Sequence, residues 1–234
     1  MIELIPGVSR NTFRDHDPRA EAADAEYRAK RPAVLQRAQH TCLGCGVKSV
    51  DGLEVHHKDC NHANNSEANF APECVFCHPV NHIGELASRL LRADESELAG
   101  TASLLAYLPD ITQADLSHLM RTIGHVLVSP EATPEQKEDA KALHDSLLAY
   151  SNYIESTWGS SKAAHFAIAL KEIPEAVYAE RAEPMSGLRV VFGLGVVVKQ
   201  ARKFAAEYVS LPIATWSSIF ARRAAPKNAV APEL

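Results

Sequence analysis

Two C-x2-C pairs, Cys42-x2-Cys45 and Cys74-x2-Cys77, stand 28 residues apart, and few features of a chain constrain its fold so strongly. Each pair puts two thiolates on one tight turn, and two such turns that meet make the four-sulfur tetrahedral shell a structural zinc ion prefers. The spacer exceeds that of ordinary zinc ribbons and leaves room for a hairpin and a loop between the knuckles. Nothing in the N-terminal "MIELIPGVSRNTFRDHD" has the uninterrupted apolar core of a secretory signal, so the chain is expected to stay in the cytoplasm. Reduced thiols there favour metal over disulfide. The fifth cysteine, Cys60, has no partner in this pattern and reads as an ordinary free thiol.

The stretch between and after the pairs is also rich in imidazole. Leu53 to His82 holds five of the eleven histidines. "VKSVDGLEVHH" reads as strand, Asp-Gly turn, strand. An asparagine-rich loop follows over Cys60 to Asn69, and "PVNHIGELASRLLR" has apolar residues at helical spacing after the second knuckle. On alternating strand faces His56 and His57 can take different tasks. His78 and His82, four apart on a helix, come within about 5–6 Å and can share an ion. His40 and His62 fit no role and read as surface residues.

The chain is long enough for a buried core, at 234 residues and 46% hydrophobic content. Its formal charge of −5 gives no general attraction to polyanions. Between Arg31 and Arg92 six Lys/Arg balance six Asp/Glu, so the cysteine-bearing segment has no basic face. The most apolar run, Val190 to Val198, is nine residues. That is too short for the roughly 20 that span a bilayer, so no membrane insertion is expected. It reads as a buried strand or helix segment.

The expected fold is α+β and predominantly helical. Residues 1–33 form an extension with a helix opened by Asp17-Pro18, and "PAVLQRAQH" makes a second short helical piece leading into Cys42. Residues 34–92 make a small ββα module around the four-cysteine site. Residues 103–222 make a mainly α-helical C-terminal part, and 223–234 a flexible tail. Thr112 with Asp115, and Thr133 with Gln136 after Pro134, mark helix starts, and Gly159 a helix end.

The order of features from Val34 to Arg92 resembles the HNH, or ββα-metal, nucleases. The resemblance implies that His56 ligates a metal, that His57 is the general base, that Asn69 orients it, and that His78 and His82 complete the metal shell. The ion would be Mg²⁺, Mn²⁺ or a second Zn²⁺, and the reaction metal-assisted hydrolysis of DNA phosphodiesters.

A narrower likeness covers more of the chain. "DPRAEAADAEYRAKRPAVLQRAQHTCLGCG", "NNSEANFAPECVFC", "LAYLPDITQADLSHLM", "STWGSS" and "LPIATW" resemble the DotN/IcmJ family of type IVB secretion and related conjugation systems. That resemblance implies a structural, zinc-stabilised HNH-like subunit of the cytoplasmic coupling complex. It would lie at the inner membrane only through its partner proteins, beside a substrate-receiving ATPase. Secretion members of that pattern lack the histidine pair, whereas this chain keeps His56, His57, His78 and His82. Three readings follow: an adaptor subunit with Trp158, Trp216 and the "YLPD" corner as candidate anchors, although core packing is the more ordinary role for both tryptophans; an HNH endonuclease; and a nucleic-acid-binding module without cleavage.

Overall fold

The computed structural model describes residues 3–10, 19–84 and 103–204, with Glu207 and Ile213. The expected helix beyond residue 84, most of the "LPIATW" segment, Trp216 and the 223–234 tail lie outside the described residues. Among those described, the chain is α+β, with helices outweighing two small antiparallel sheets.

Helix α1, Ala20–Arg37, runs unbroken through Pro32, so the two expected helical pieces are one. It buries Val34 and Leu35, and Tyr27 Oη donates to the Val55 carbonyl at 3.0 Å. These contacts lay α1 across one face of the first sheet. That sheet pairs β1, Leu53–His57, with β2, Phe70–Cys74, in the register Leu53↔Cys74 to His57↔Phe70. The expected Asp51-Gly52 hairpin is therefore a correction, because the partner of β1 comes after the asparagine loop. Residues 47–49 are committed elsewhere: Val47 O accepts from Cys42 N–H and Ser49 N–H donates to His40 O, closing the first knuckle. Gly52 is needed for close packing, since a Cβ there would sit 2.4 Å from the Phe204 ring.

The second half opens with β3, Leu104–Tyr107, which pairs with β4, Leu188–Val191. Helix α2, Gln113–Val128, starts where Thr112 Oγ1 accepts the Asp115 N–H. Helix α3, Pro134–Ala149, starts on a complete Thr133–Gln136 capping box. The helix expected to run on to Gly159 breaks at Tyr150 and resumes as α4, Ser151–Trp158, with Gly159 left-handed at its end. Helices α5, Ala163–Glu172, α6, Glu175–Ala179, and α7, Leu194–Ala201, follow. The apolar run 190–198 thus splits into the end of β4 and the start of α7. Gln113 fixes this corner from inside, its side chain both accepting from Val190 N and donating to Val190 O.

One core joins the two halves. Phe76, in the second knuckle, is fully buried and packs on Phe192 and Phe204, with ring centroids 6.4 and 6.2 Å away. Residues 3–10 thread alongside: Gly7 N–H donates to Val80 O and Gly7 O accepts from Ile83 N–H.

Candidate metal centres

Cys42 and Cys45 sit on the turn after α1; Cys74 ends β2 and Cys77 follows in the next turn. All four are buried, none is in a disulfide, and their sulfurs lie within 4.8 Å of one another. Cys45 Sγ and Cys74 Sγ are 3.7 Å apart. A tetrahedral ion with metal–sulfur bonds of about 2.3 Å would set sulfurs about 3.8 Å apart, so the cage already has the size a metal needs. Cys42 Sγ accepts backbone N–H groups from Cys45 and Cys74, which stabilise a thiolate. Hydrogen bonds from the other three thiols hold Cys42 far below its usual range, and hydrogen bonding to Cys42 pushes Cys77 up. Cys42 and Cys45 are thus held down while Cys74 and Cys77 are pushed up, and a bound cation would let all four ionise. Helix α2 clamps both knuckles, with His118 Nε2 donating to Cys45 O at 2.7 Å and Ser117 Oγ to Phe76 O at 3.3 Å.

The second cluster joins His56, His78 and His82, whose ligand nitrogens also lie within 4.8 Å of one another. His78 and His82 ride a 3-10 turn, His78–His82, rather than an α-helix, and their ring centroids are still only 4.9 Å apart. His56 Nδ1 and His82 Nε2 are 3.1 Å apart, close to the spacing of two imidazoles on one divalent ion with metal–nitrogen bonds of about 2.0–2.1 Å. Burial, then the neighbouring His78, lowers the pKa of His56 to about 3, which keeps it a neutral donor. Glu54, two residues before His56 and on the same strand face, holds His78 Nδ1 at 2.6 Å. The hydrogen bond to His78 lowers the Glu54 carboxyl to about 2. The pair leaves His78 Nε2 as the ligand atom, with a carboxylate behind it, as metal-binding histidines require.

His57 points the other way, consistent with strand alternation. It is 2% exposed, packed against Tyr27, Phe70 and His62 with ring centroids at 5.4, 5.0 and 4.6 Å. His62, expected at the surface, is thus half-buried on His57. The residue that holds His57 is Asn65, whose Oδ1 is 2.9 Å from His57 Nε2. Asn69, expected in that role, is committed to the loop: its Oδ1 accepts Asp59 N–H, and its Nδ2 donates to Asp59 Oδ1 and Asn64 O. His56, His78 and His82 are therefore brought together, while His57 and Asn69 stand apart from them and from each other.

Sequence reasoning missed Glu54, Asn65 and Glu73. Glu54 had a signal in its i−2 position before His56; Asn65 had none among four loop asparagines. Glu73, opposite Glu54 in the sheet, is fully buried with Asn81 Nδ2 donating to it at 2.7 Å, and burial raises its carboxyl to about 7. Far from these centres, Trp158 is 58% exposed and lies on Phe166, correcting its expected core packing. The Tyr107 ring of the "YLPD" corner lies tilted against Tyr153 with centroids 5.1 Å apart, and Tyr107 N–H donates to Tyr150 O, so three exposed tyrosines cluster there. No described helix is long and apolar enough to cross a membrane. No protein-family model matches the chain, and no curated protein matches it significantly.

Proposed function

We propose that the protein is a zinc-stabilised HNH-like adaptor subunit of a type IV secretion or conjugation coupling complex, acting in the cytoplasm through partner proteins. The observation that carries this reading is the tyrosine cluster of Tyr107, Tyr150 and Tyr153. The most specific part of the DotN/IcmJ likeness, "LAYLPDITQADLSHLM", contributes exposed Tyr107, which meets exposed Tyr150 and Tyr153 of the following helices, and tyrosine is among the side chains that most often anchor protein interfaces. Zinc is the ion of choice at Cys42, Cys45, Cys74 and Cys77, because four thiolates in a closed tetrahedral cage select it.

The second reading is a metal-dependent HNH endonuclease, favoured by the histidine cluster with Glu54 behind it. His57 argues against it. A general base must reach the attacking water, and this imidazole is buried on the opposite face of β1 from the ligands.

Two measurements on the purified protein separate the readings. Sedimentation with the coupling ATPase of the same system should give a complex that Tyr153→Ala weakens at least tenfold. Incubation with plasmid DNA and Mg²⁺, Mn²⁺ or Ni²⁺ should leave the plasmid intact. Metal-dependent nicking abolished by His57→Ala would overturn the adaptor reading.

A further inference from the structure

Beside His56 of the histidine cluster lies a cleft of about 410 Å³, walled on one side by His56 and Lys58 and on the other by Arg10, Tyr178 and Arg181. The far wall is built, not incidental. Tyr178 Oη accepts Val8 N–H at 2.9 Å and donates to Val8 O at 3.1 Å, which pins the N-terminal segment to α6. The Arg10 and Arg181 guanidinium carbons sit 5.0 and 4.1 Å from the Tyr178 ring centroid. Arg10 donates to Leu170 O and Ile173 O and pairs with Glu175; Arg181 donates to Pro6 O and Tyr178 O. A guanidinium has five N–H donors, so both keep some for a ligand.

The charge at the cleft is positive once the ion is counted. Arg10, Lys58 and Arg181 face Asp59 and Glu175, leaving one positive charge, to which a divalent ion on neutral imidazoles adds two. The Asp59 carboxylate is already occupied by Asn61 N–H and the amides of Asn64 and Asn69. Among the described residues the Lys58 ammonium makes no hydrogen bond or ion pair, its backbone N–H alone being engaged, by Asn69 O. Such a cleft suits a dianion better than the single charge of a phosphodiester. Its volume is that of a small-ligand site.

We propose that this cleft binds a phosphate monoester, one oxygen on an ion held by His56, His78 and His82 and the others on Arg10, Lys58 and Arg181. The inference does not depend on the adaptor reading, because the tyrosine cluster takes no part in the cleft.

The test uses the full chain with its cysteine site filled and Mn²⁺ added, and reads ³¹P relaxation together with calorimetric affinity. Inorganic phosphate, adenosine 5′-monophosphate and a dinucleoside monophosphate lacking a terminal phosphate serve as probes. Both monoanionic-to-dianionic phosphates should show Mn²⁺-dependent relaxation, and the diester should bind at least about tenfold more weakly. Tighter binding of the nucleotide than of inorganic phosphate identifies a nucleotide ligand, and equal binding identifies free phosphate; either supports the proposal. Lys58→Ala, at an exposed side chain whose loss leaves the fold intact, should weaken phosphate by about tenfold, and so should Arg181→Lys, without changing Mn²⁺ affinity. Failure of both phosphates to bind, diester binding as tight as monoester, or unchanged affinity in both variants would overturn it.

Discussion

Glu54 Oε2 lies 2.6 Å from His78 Nδ1, so the carboxylate of β1 fixes the ring that follows the second knuckle. The strand that supplies the ligand His56 also supplies the group that aims its neighbour. Glu54→Gln keeps the size but removes the charge, and divalent-ion affinity at the histidine cluster should fall by about 10–100-fold. Competition titration with Co²⁺ should show this loss while the ion on the four cysteines stays bound. Equal Co²⁺ affinity in the two proteins would mean that Glu54 does not support the site.

Asn65 and Asn69 predict different consequences despite similar burial. Asn65 Oδ1 accepts from His57 Nε2–H, and its Nδ2 ties the loop to α1 by donating to Ala23 O at 2.9 Å. Asn65→Ala strands a buried imidazole nitrogen and should cost about 1–3 kcal/mol in urea unfolding. It should also shift the ¹⁵N resonances of the His57 ring. Asn69→Ala should loosen the Asp59 turn and leave those resonances in place; a shift of the His57 ring in Asn69→Ala instead would contradict the assignment.

What the sequence revealed tracks how local the physics is. The two C-x2-C turns, the Thr112 and Thr133 caps and the Gly159 stop each rest on chemistry within a few residues, and the structure shows the four cysteines gathered and each helix boundary in place. Strand partners are non-local: Asp51-Gly52 has a hairpin's composition, yet its glycine serves the approach of Phe204 from more than 150 residues away. Alternation along β1 was legible and separates His56 from His57. Which asparagine would meet His57 was not, because the loop's conformation, not its composition, selects Asn65. The exposure of Trp158 likewise depends on where α4 ends relative to α5, which periodicity does not encode.

The four-cysteine site should hold the whole described fold, not one knuckle. Its backbone is clamped by His118 and Ser117 of α2, and Phe76 joins the shared core. Metal binding by such sites contributes about 10–16 kcal/mol, comparable to the entire stability of a domain. Cys77→Ser, or a strong chelator, should therefore abolish the near-ultraviolet circular dichroism and the helical signal together. Retention of the helical signal after the metal is stripped would show that the second half stands alone.

Glu73 makes stability depend on pH in a direction opposite to an ordinary paired carboxylate. Burial raises its carboxyl from 4.5 to about 7, so the folded protein holds a proton that the unfolded chain has released. The stability linked to this group is complete below pH 4.5 and is lost as pH rises through 7. The shift amounts to about 3 kcal/mol at full ionisation. Glu73→Gln keeps an oxygen to accept from Asn81 and has nothing to ionise. Urea midpoints of the metal-loaded proteins at pH 5 and pH 8 should therefore converge in the variant and differ in the wild type, with the wild type weaker at pH 8. A wild-type slope that survives in Glu73→Gln would assign the pH dependence to another group.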